Sequence, residues 1–357
     1  MTLQFYPLRI AELRRETSDC VSVLFDVPAE LQATFRFQQG QYLTLRCDIG
    51  GQSVRRSYSI CSAPCEGTLR VAIKKQEGGI FSTFANEQLQ QGAVVDVMPP
   101  NGKFFTPLDP ASRKHYLFVA AGSGITPIVS LIKETLVAEP HSSCTLVYGN
   151  RNRGGIIFFE ELEALKNKYM QRFRLIHVLS REKTDAALHF GRIDENKLAA
   201  LDRLIDYKTM DACFVCGPEE LIHGTRQFLQ GKGIAPEKIH FELFGVTSKK
   251  SKSGGAASQP GGGVSHITIT LDGRSFEFDL PLSSDTTLLD AAAAQGADVP
   301  YACKGGVCCT CKAKLLQGEV SMDVHWGLDH EEIEQGYILT CQAHPKTETV
   351  VVDFDVK

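Results

Sequence analysis

The stretch Tyr301-Ala302-Cys303-Lys304-Gly305-Gly306-Val307-Cys308-Cys309-Thr310-Cys311-Lys312 holds three cysteines spaced C-x4-C-x2-C, and Cys341 follows after 29 intervening residues. This is the plant-type spacing by which four thiolates hold a [2Fe–2S] cluster. Lys304-Gly305-Gly306-Val307 and Cys309-Thr310 include small or short residues. They let a loop wrap closely around inorganic sulfide and turn amide N–H groups toward it. Zinc would call for two C-x2-C pairs, and a disulfide framework suits small secreted domains rather than a chain of 357 residues. The expected metal ligands are therefore Cys303, Cys308, Cys311 and Cys341, and the expected role is to carry single electrons. Cys309 is a fifth thiol that the ligand count does not need.

Outward from this loop, charge is unevenly divided. Residues 265–357 contain six Lys/Arg and fifteen Asp/Glu, a net −9, which leaves +5 on the other 264 residues of a chain whose total is −4. The segment TSKKSKSGGAASQPGGG, between Val246 and Val264, has no apolar periodicity and is rich in glycine, serine and lysine, so 246–264 is expected to be a flexible linker. A hydrophobic content of 43% is ordinary for a globular protein. The first residues lack a basic segment followed by an apolar one, and no apolar run reaches membrane-span length. A cytoplasmic protein with no membrane and no nucleic-acid partner is expected. The remaining cysteines show no framework spacing and the ten histidines no ligand pattern.

Residues 1–110 read as six short strands, Leu8–Glu12, Val21–Val27, Tyr42–Cys47, Arg56–Cys61, Leu69–Lys74 and Val94–Met98, which suggest a small antiparallel β-barrel. In 111–245 apolar strands alternate with helical stretches. Tyr116–Ala121 precedes a helix from Pro127, Thr145–Tyr148 precedes Glu160–Lys168, Leu175–Leu179 precedes Asp194–Leu204, and Ala212–Cys216 precedes Glu219–Gln230. That alternation predicts an α/β domain with a parallel, doubly wound sheet. In 265–357, Ile267–Phe278, Leu288–Gln295 and Cys311–Gln317 give strand, helix and strand of a compact α+β unit.

In the barrel, Arg56-Ser57-Tyr58-Ser59 and Gly78-Gly79-Ile80-Phe81-Ser82 suit a flavin. Arg56 would neutralise a phosphate, Tyr58 would lie against the isoalloxazine, and Ser59 would hydrogen-bond near N5. Gly78 and Gly79 would admit the pyrophosphate to backbone amides, with Ser82 adding a hydroxyl. The competing reading is an amphipathic strand and an ordinary turn. Val119 to Ile128 joins strand to helix through Gly122-Ser123-Gly124-Ile125-Thr126-Pro127, where free amides and the helix dipole favour a nucleotide pyrophosphate. Pro127 stands where the G-x-G-x-x-G fingerprint has its third glycine. The next two strands end in Tyr148-Gly149-Asn150-Arg151 and Leu179-Ser180-Arg181. Arg151, Ser180 and Arg181 there favour NADPH over NADH, unless the arginines are simply solvated strand ends. Cys216-Gly217-Pro218 ends a further strand at the carboxyl edge, and Cys216 either flanks the nicotinamide or is a buried structural thiol.

With these motifs in sequence, the chain resembles the ferredoxin–NADP reductase superfamily fused to a plant-type ferredoxin, over essentially every residue outside the linker. The resemblance implies FAD on the barrel, NADPH on the parallel sheet, and a β-grasp fold for the ferredoxin part. It implies FAD contacts from Arg56, Tyr58, Ser59, Gly78, Gly79 and Ser82, NADPH contacts around Gly122, Gly124, Thr126, Ser180, Arg181 and Cys216, and a place near the flavin for Glu242, in Phe241-Glu242-Leu243-Phe244; Ser59, Cys216 and Glu242 are the expected catalytic residues. It also implies that Cys303 and Cys308 hold the outer iron, and Cys311 and Cys341 the inner one. A hydride carries two electrons and the cluster accepts one at a time, so the flavin would stand between them. A separate di-iron oxygenase is the acceptor expected from the resemblance. Another multicomponent mono- or dioxygenase, or a redox-responsive binding role without turnover, is the alternative.

Overall fold

The computed structural model describes residues 4–244, 263–297 and 299–356. The expected linker lies outside the described residues except at its last two positions, and Val264 already opens a strand. The chain divides into two compact units, one spanning Phe5–Phe244 and the other C-terminal to it.

The first unit begins with strands β1 (Tyr6–Thr17), β2 (Cys20–Asp26), β3 (Tyr42–Ile49), β4 (Gln52–Ser59), β5 (Leu69–Lys74) and β6 (Val94–Val97). They form an antiparallel sheet in the order β4-β3-β6-β1-β2-β5, and a bridge between Ile60 and Val71 joins its two ends. The alternation that makes one face apolar is visible in β1, where Leu8 and Ile10 are buried and Arg9 is exposed. Helix α1 (Ile80–Glu87) packs Phe81 and Ala85 into the same core as Leu43, Leu45, Val71 and Ile73. The Gly78–Ser82 stretch is therefore more than the ordinary turn its glycine pair suggests, because Gly79 is the residue from which this helix starts.

The parallel sheet comprises β7 (His115–Ala121), β8 (Ser143–Asn150), β9 (Phe173–Leu179), β10 (Ala212–Gly217) and β11 (Ile239–Leu243), in the order β11-β10-β7-β8-β9. Helices α2 (Ile125–Ala138), α3 (Phe159–Lys168), α4 (Glu195–Ala200) and α5 (Glu219–Gly231) connect them. The chain runs outward from β7 on one side, then returns to its other side, so the carboxyl ends of β7 and β10 form the topological switch point. Three details differ from what the sequence pattern predicts. The sheet has a fifth strand, β11; α2 starts at Ile125 rather than Pro127; and Asp194–Leu204 is a short helix capped by the Asp194 side chain, followed by a separate 3-10 turn. Cys20, Cys61, Ala72 and Phe104 of the barrel region join the apolar core of this sheet, so the two layers share an interior.

The C-terminal unit contains β12 (Val264–Leu271), β13 (Arg274–Pro281), α6 (Leu288–Ala294), β14 (Lys312–Gln317), β15 (Val320–Met322), α7 (His330–Glu334), β16 (Tyr337–Leu339), β17 (Ala343–Pro345) and β18 (Thr349–Asp353). Its mixed sheet runs β13-β12-β18-β14-β16, with a β15-β17 ribbon beside it. The span expected as one strand, Ile267–Phe278, is a hairpin. Asp272 and Gly273 both have positive φ, at 51° and 69°, and form the two-residue turn between β12 and β13. Asp355 accepts the N–H groups of both turn residues at 2.8 Å, which lowers its carboxyl pKa. Among the described residues, no helix is long and apolar enough to cross a membrane.

Candidate functional site

Strand β4 carries the expected flavin residues with alternating exposure: Arg56 is exposed, Ser57 and Tyr58 half-buried, and Ser59 buried. Arg56 turns one guanidinium nitrogen onto the Arg55 carbonyl at 2.6 Å and forms no ion pair with a described residue, so its charge stays available to a phosphate. The Ser57 hydroxyl lies 3.2 Å from that of Thr44 on β3. Tyr58 rests at 5.6 Å from Phe81 of α1, and burial raises its phenol pKa. The start of α1 has no side-chain cap, which leaves the first-turn amides free as a cradle for an anion. Gly78 has φ 70°, a conformation that favours glycine. A Cβ on Gly79 would lie 2.5 Å from the Ser82 hydroxyl. That hydroxyl is buried; it accepts from the Gln76 N–H at 3.1 Å and donates to the Gly79 carbonyl at 3.3 Å. Ser82 thus shapes the turn from which α1 starts.

At the switch point the β7–α2 turn is fixed from three sides. Gly122 has φ 53°, and its carbonyl accepts the hydroxyl of the fully buried Tyr148 at 3.0 Å. Thr126 donates to the Ser123 carbonyl at 3.1 Å. A Cβ on Gly124 would fall 2.2 Å from the Cys216 carbonyl oxygen, so glycine is demanded here by close approach rather than by φ. Gly124 is followed directly by α2, whose N-terminus has no side-chain cap and whose third residue is Pro127, which has no N–H to satisfy. Gly217 and Pro218 lead from β10 into α5, with Pro218 at the N-cap.

Ser59, Cys216 and Glu242 converge where barrel and parallel sheet meet. Ser59 donates to a Glu242 carboxylate oxygen at 3.3 Å, and Glu242 on β11 is the register partner of Cys216 on β10. Burial pushes the Glu242 carboxyl up to about 8, with the Ser59 hydrogen bond opposing the rise. Its side chain retains some solvent contact, but the enclosure by β4 and β10 desolvates the charge. Cys216 is fully buried; desolvation first, then the Glu242 charge, raise its thiol well above the ordinary value, so it is inert as a nucleophile.

The ends of β8 and β9 are tied by backbone hydrogen bonds from Ser180 to Asn150 at 2.9 Å and from Arg181 to Arg151 at 2.8 Å. The two arginines are therefore held side by side, exposed, and without an ion pair to any described residue.

In the C-terminal unit the four expected ligands fall into two thiol pairs, Cys303 with Cys308 and Cys311 with Cys341, within electrostatic reach of each other. No three His, Cys, Asp or Glu side chains among the described residues gather around one point as a single ion would need. Two pairs suit a binuclear cluster with two thiolates to each iron. Cys308, with the amides of Gly305, Val307 and Cys308, holds the Cys303 thiol well below its ordinary value against the effect of burial. The Gly305 N–H lies 3.3 Å from the Cys303 sulfur. Lys304, Gly306 and Cys309 all adopt positive φ, which folds the loop around its own amides. The Cys309 thiol donates to the Gly327 carbonyl, which turns it toward that segment.

Comparisons against known proteins match three regions of the chain. Residues 7–105 match the Oxidoreductase FAD-binding domain family, 118–227 the Oxidoreductase NAD-binding domain family, and 269–346 the 2Fe-2S iron-sulfur cluster binding domain family. The fold is that of phthalate dioxygenase reductase, with a TM-score of 0.63, 23% identity and 98% of each chain covered. The chain belongs to the flavin- and [2Fe–2S]-containing oxidoreductases that serve as reductase components of multicomponent oxygenases. It is 42% identical to one of the subunits of 1,2-phenylacetyl-CoA epoxidase from Escherichia coli, over 99% of this chain and 98% of that one. It is 34% identical to the ferredoxin reductase component of 3-ketosteroid-9-alpha-monooxygenase from Rhodococcus rhodochrous, over 97% and 96%.

Proposed function

We propose that this chain takes hydride from NADPH and passes the electrons one at a time to a di-iron oxygenase that epoxidises phenylacetyl-CoA. The observation that carries the acceptor is the 42% identity, over almost the whole of both chains, to a component of the phenylacetyl-CoA epoxidase. When bound, FAD converts a two-electron donor to single-electron output, and the cluster relays those electrons outward. The chain's own residues do the positioning. Arg56 and the free amides of α1 hold the flavin phosphates, and Gly78 and Gly79 let them approach. Tyr58 packs beside the ring. The amides of the Gly122–Thr126 turn hold the dinucleotide pyrophosphate.

Glu242, held largely protonated at neutral pH by its raised pKa, leaves the junction of the two sheets without an added negative charge. That favours the approach of an electron-rich nicotinamide to the flavin, and Ser59 keeps the carboxyl in one place. Cys216 contributes a neutral wall. The paired Arg151 and Arg181, with Ser180, supply the charge and hydroxyl that a 2′-phosphate requires, which supports NADPH as the donor.

Replacing Arg151 and Arg181 by alanine is expected to lower kcat/KM for NADPH by roughly ten- to a hundredfold, the worth of a charge-assisted hydrogen bond, and to leave NADH oxidation unchanged. Equal losses with both dinucleotides would remove the preference from these residues. For the acceptor, reconstitution with the oxygenase components of the epoxidase should couple NADPH oxidation to epoxide formation. Coupling only with a steroid or other monooxygenase component would assign a different partner.

A further inference from the structure

Lys133 lies in the middle of α2 and only about a tenth of its side chain reaches solvent. Its ammonium bridges Glu66, in the turn that follows β4, and Glu161 on α3, each at 2.8 Å. The same face of α2 makes two more polar contacts with that turn: the Ser130 hydroxyl donates to the Ser62 carbonyl at 2.7 Å, and Glu134 accepts the Cys65 N–H at 2.8 Å. Glu66 is itself fixed, because the same carboxylate oxygen accepts the Ala63 N–H at 2.6 Å. The turn begins three residues after Ser59, and α2 begins one residue after Gly124. One buried cation therefore fastens the segment issuing from the flavin strand to the helix whose N-terminus meets the nucleotide.

A buried lysine is costly unless paired, and two carboxylates exceed what one ammonium needs for neutrality. Burial disfavours the charged lysine, but Glu161 and Glu66 together raise its pKa, so the ammonium stays charged at neutral pH. Neither the FAD nor the NAD motif includes these residues.

We propose that Lys133, with Glu66, Glu161 and Ser130, is a positioning device that sets where the nicotinamide arrives relative to the flavin ring. The inference rests on the reading that this unit binds FAD and NADPH. Lys133 stands outside the flavin and nucleotide motifs and its ammonium bonds only Glu66 and Glu161 among the described residues; it acts through α2, whose displacement by an ångström would carry the Gly122–Thr126 turn with it. Misplacement of that size costs up to about a hundredfold in rate.

The test uses the full-length, FAD-loaded protein and rapid anaerobic mixing with NADPH, following flavin bleaching and the long-wavelength absorbance of stacked nicotinamide and flavin. Lys133→Met is expected to slow bleaching about ten- to a hundredfold and to diminish that absorbance, with FAD content retained and a much smaller change in the KM for NADPH. Lys133→Arg, which keeps the charge, should recover most of the rate. Glu66→Gln leaves Lys133 paired with Glu161 and should give an intermediate loss; it carries the test if Lys133→Met does not fold. Unchanged bleaching and unchanged absorbance in Glu66→Gln, or in a folded Lys133→Met, would overturn the proposal. Absence of NADPH-driven bleaching in the unaltered protein would instead defeat the functional reading on which it rests.

Discussion

Glu242 shows how one side chain joins local packing to a measurable pH dependence. Its carboxyl sits at about 8 in the folded chain against an ordinary 4.5, so between those values the folded state binds the proton that the unfolded state has released. Stability is then expected to fall as pH rises from about 4.5 to about 8 and to level off above it. Glu242→Gln should flatten that part of the curve, as read from Tm between pH 5 and 9; a parallel curve would place the titration elsewhere. Gly124 makes the complementary point about space. Gly124→Ala puts a methyl group 2.2 Å from the Cys216 carbonyl and should cost about 1–3 kcal/mol in chemical denaturation, with loss of NADPH binding. A neutral outcome would show that the turn has room to shift. The sequence displays both residues, but only the fold reveals why they matter: the Gly124 constraint comes from a strand some ninety positions away, and the Glu242 shift from its enclosure beside Ser59. The cysteine ligands are legible because their spacing is local. The clamp at Lys133 is not, since its partners Glu66 and Glu161 come from two other elements.

At the scale of elements, strands whose apolar residues alternate or run together are readable, and the change from barrel to parallel sheet follows from their order. Helix α1 and strand β11 are not, nor are α7 and β15 to β18 of the C-terminal unit. Helix α1 is short and opens on Gly78-Gly79, which reads as a turn until Phe81, Phe84 and Ala85 are seen to face the barrel core. Strand β11, Ile-His-Phe-Glu-Leu, places a histidine and a glutamate among its apolar residues and lies next to the linker. The β12–β13 hairpin carries its own signal in Asp272-Gly273, a turn pair flanked by alternating residues. The role of Ser82 belongs with α1. Ser82→Ala removes the acceptor of the Gln76 N–H and should cost about 1 kcal/mol, while weakening FAD retention through the turn. Unaltered stability with lost FAD would indicate direct contact between the hydroxyl and the cofactor.

Over the whole molecule, the flavin, nucleotide and cluster modules follow one another along the chain, and the cluster module is opposite in charge to the remainder: −9 on residues 265–357 and +5 on the rest. Attraction of this kind is screened over about 8 Å at physiological salt, so electron transfer from flavin to cluster should slow as ionic strength rises. Equal rates at low and high salt would remove electrostatic steering from the account. The relay itself is examined most directly by anaerobic titration of the freshly isolated, coloured protein with NADPH, following flavin absorbance and the electron paramagnetic resonance of the cluster together. The expected result is one FAD and two irons per chain, with flavin bleaching accompanied by the signal of a reduced [2Fe–2S] centre. Protein that holds no flavin or iron, or a flavin that bleaches while the cluster stays oxidised, would contradict it.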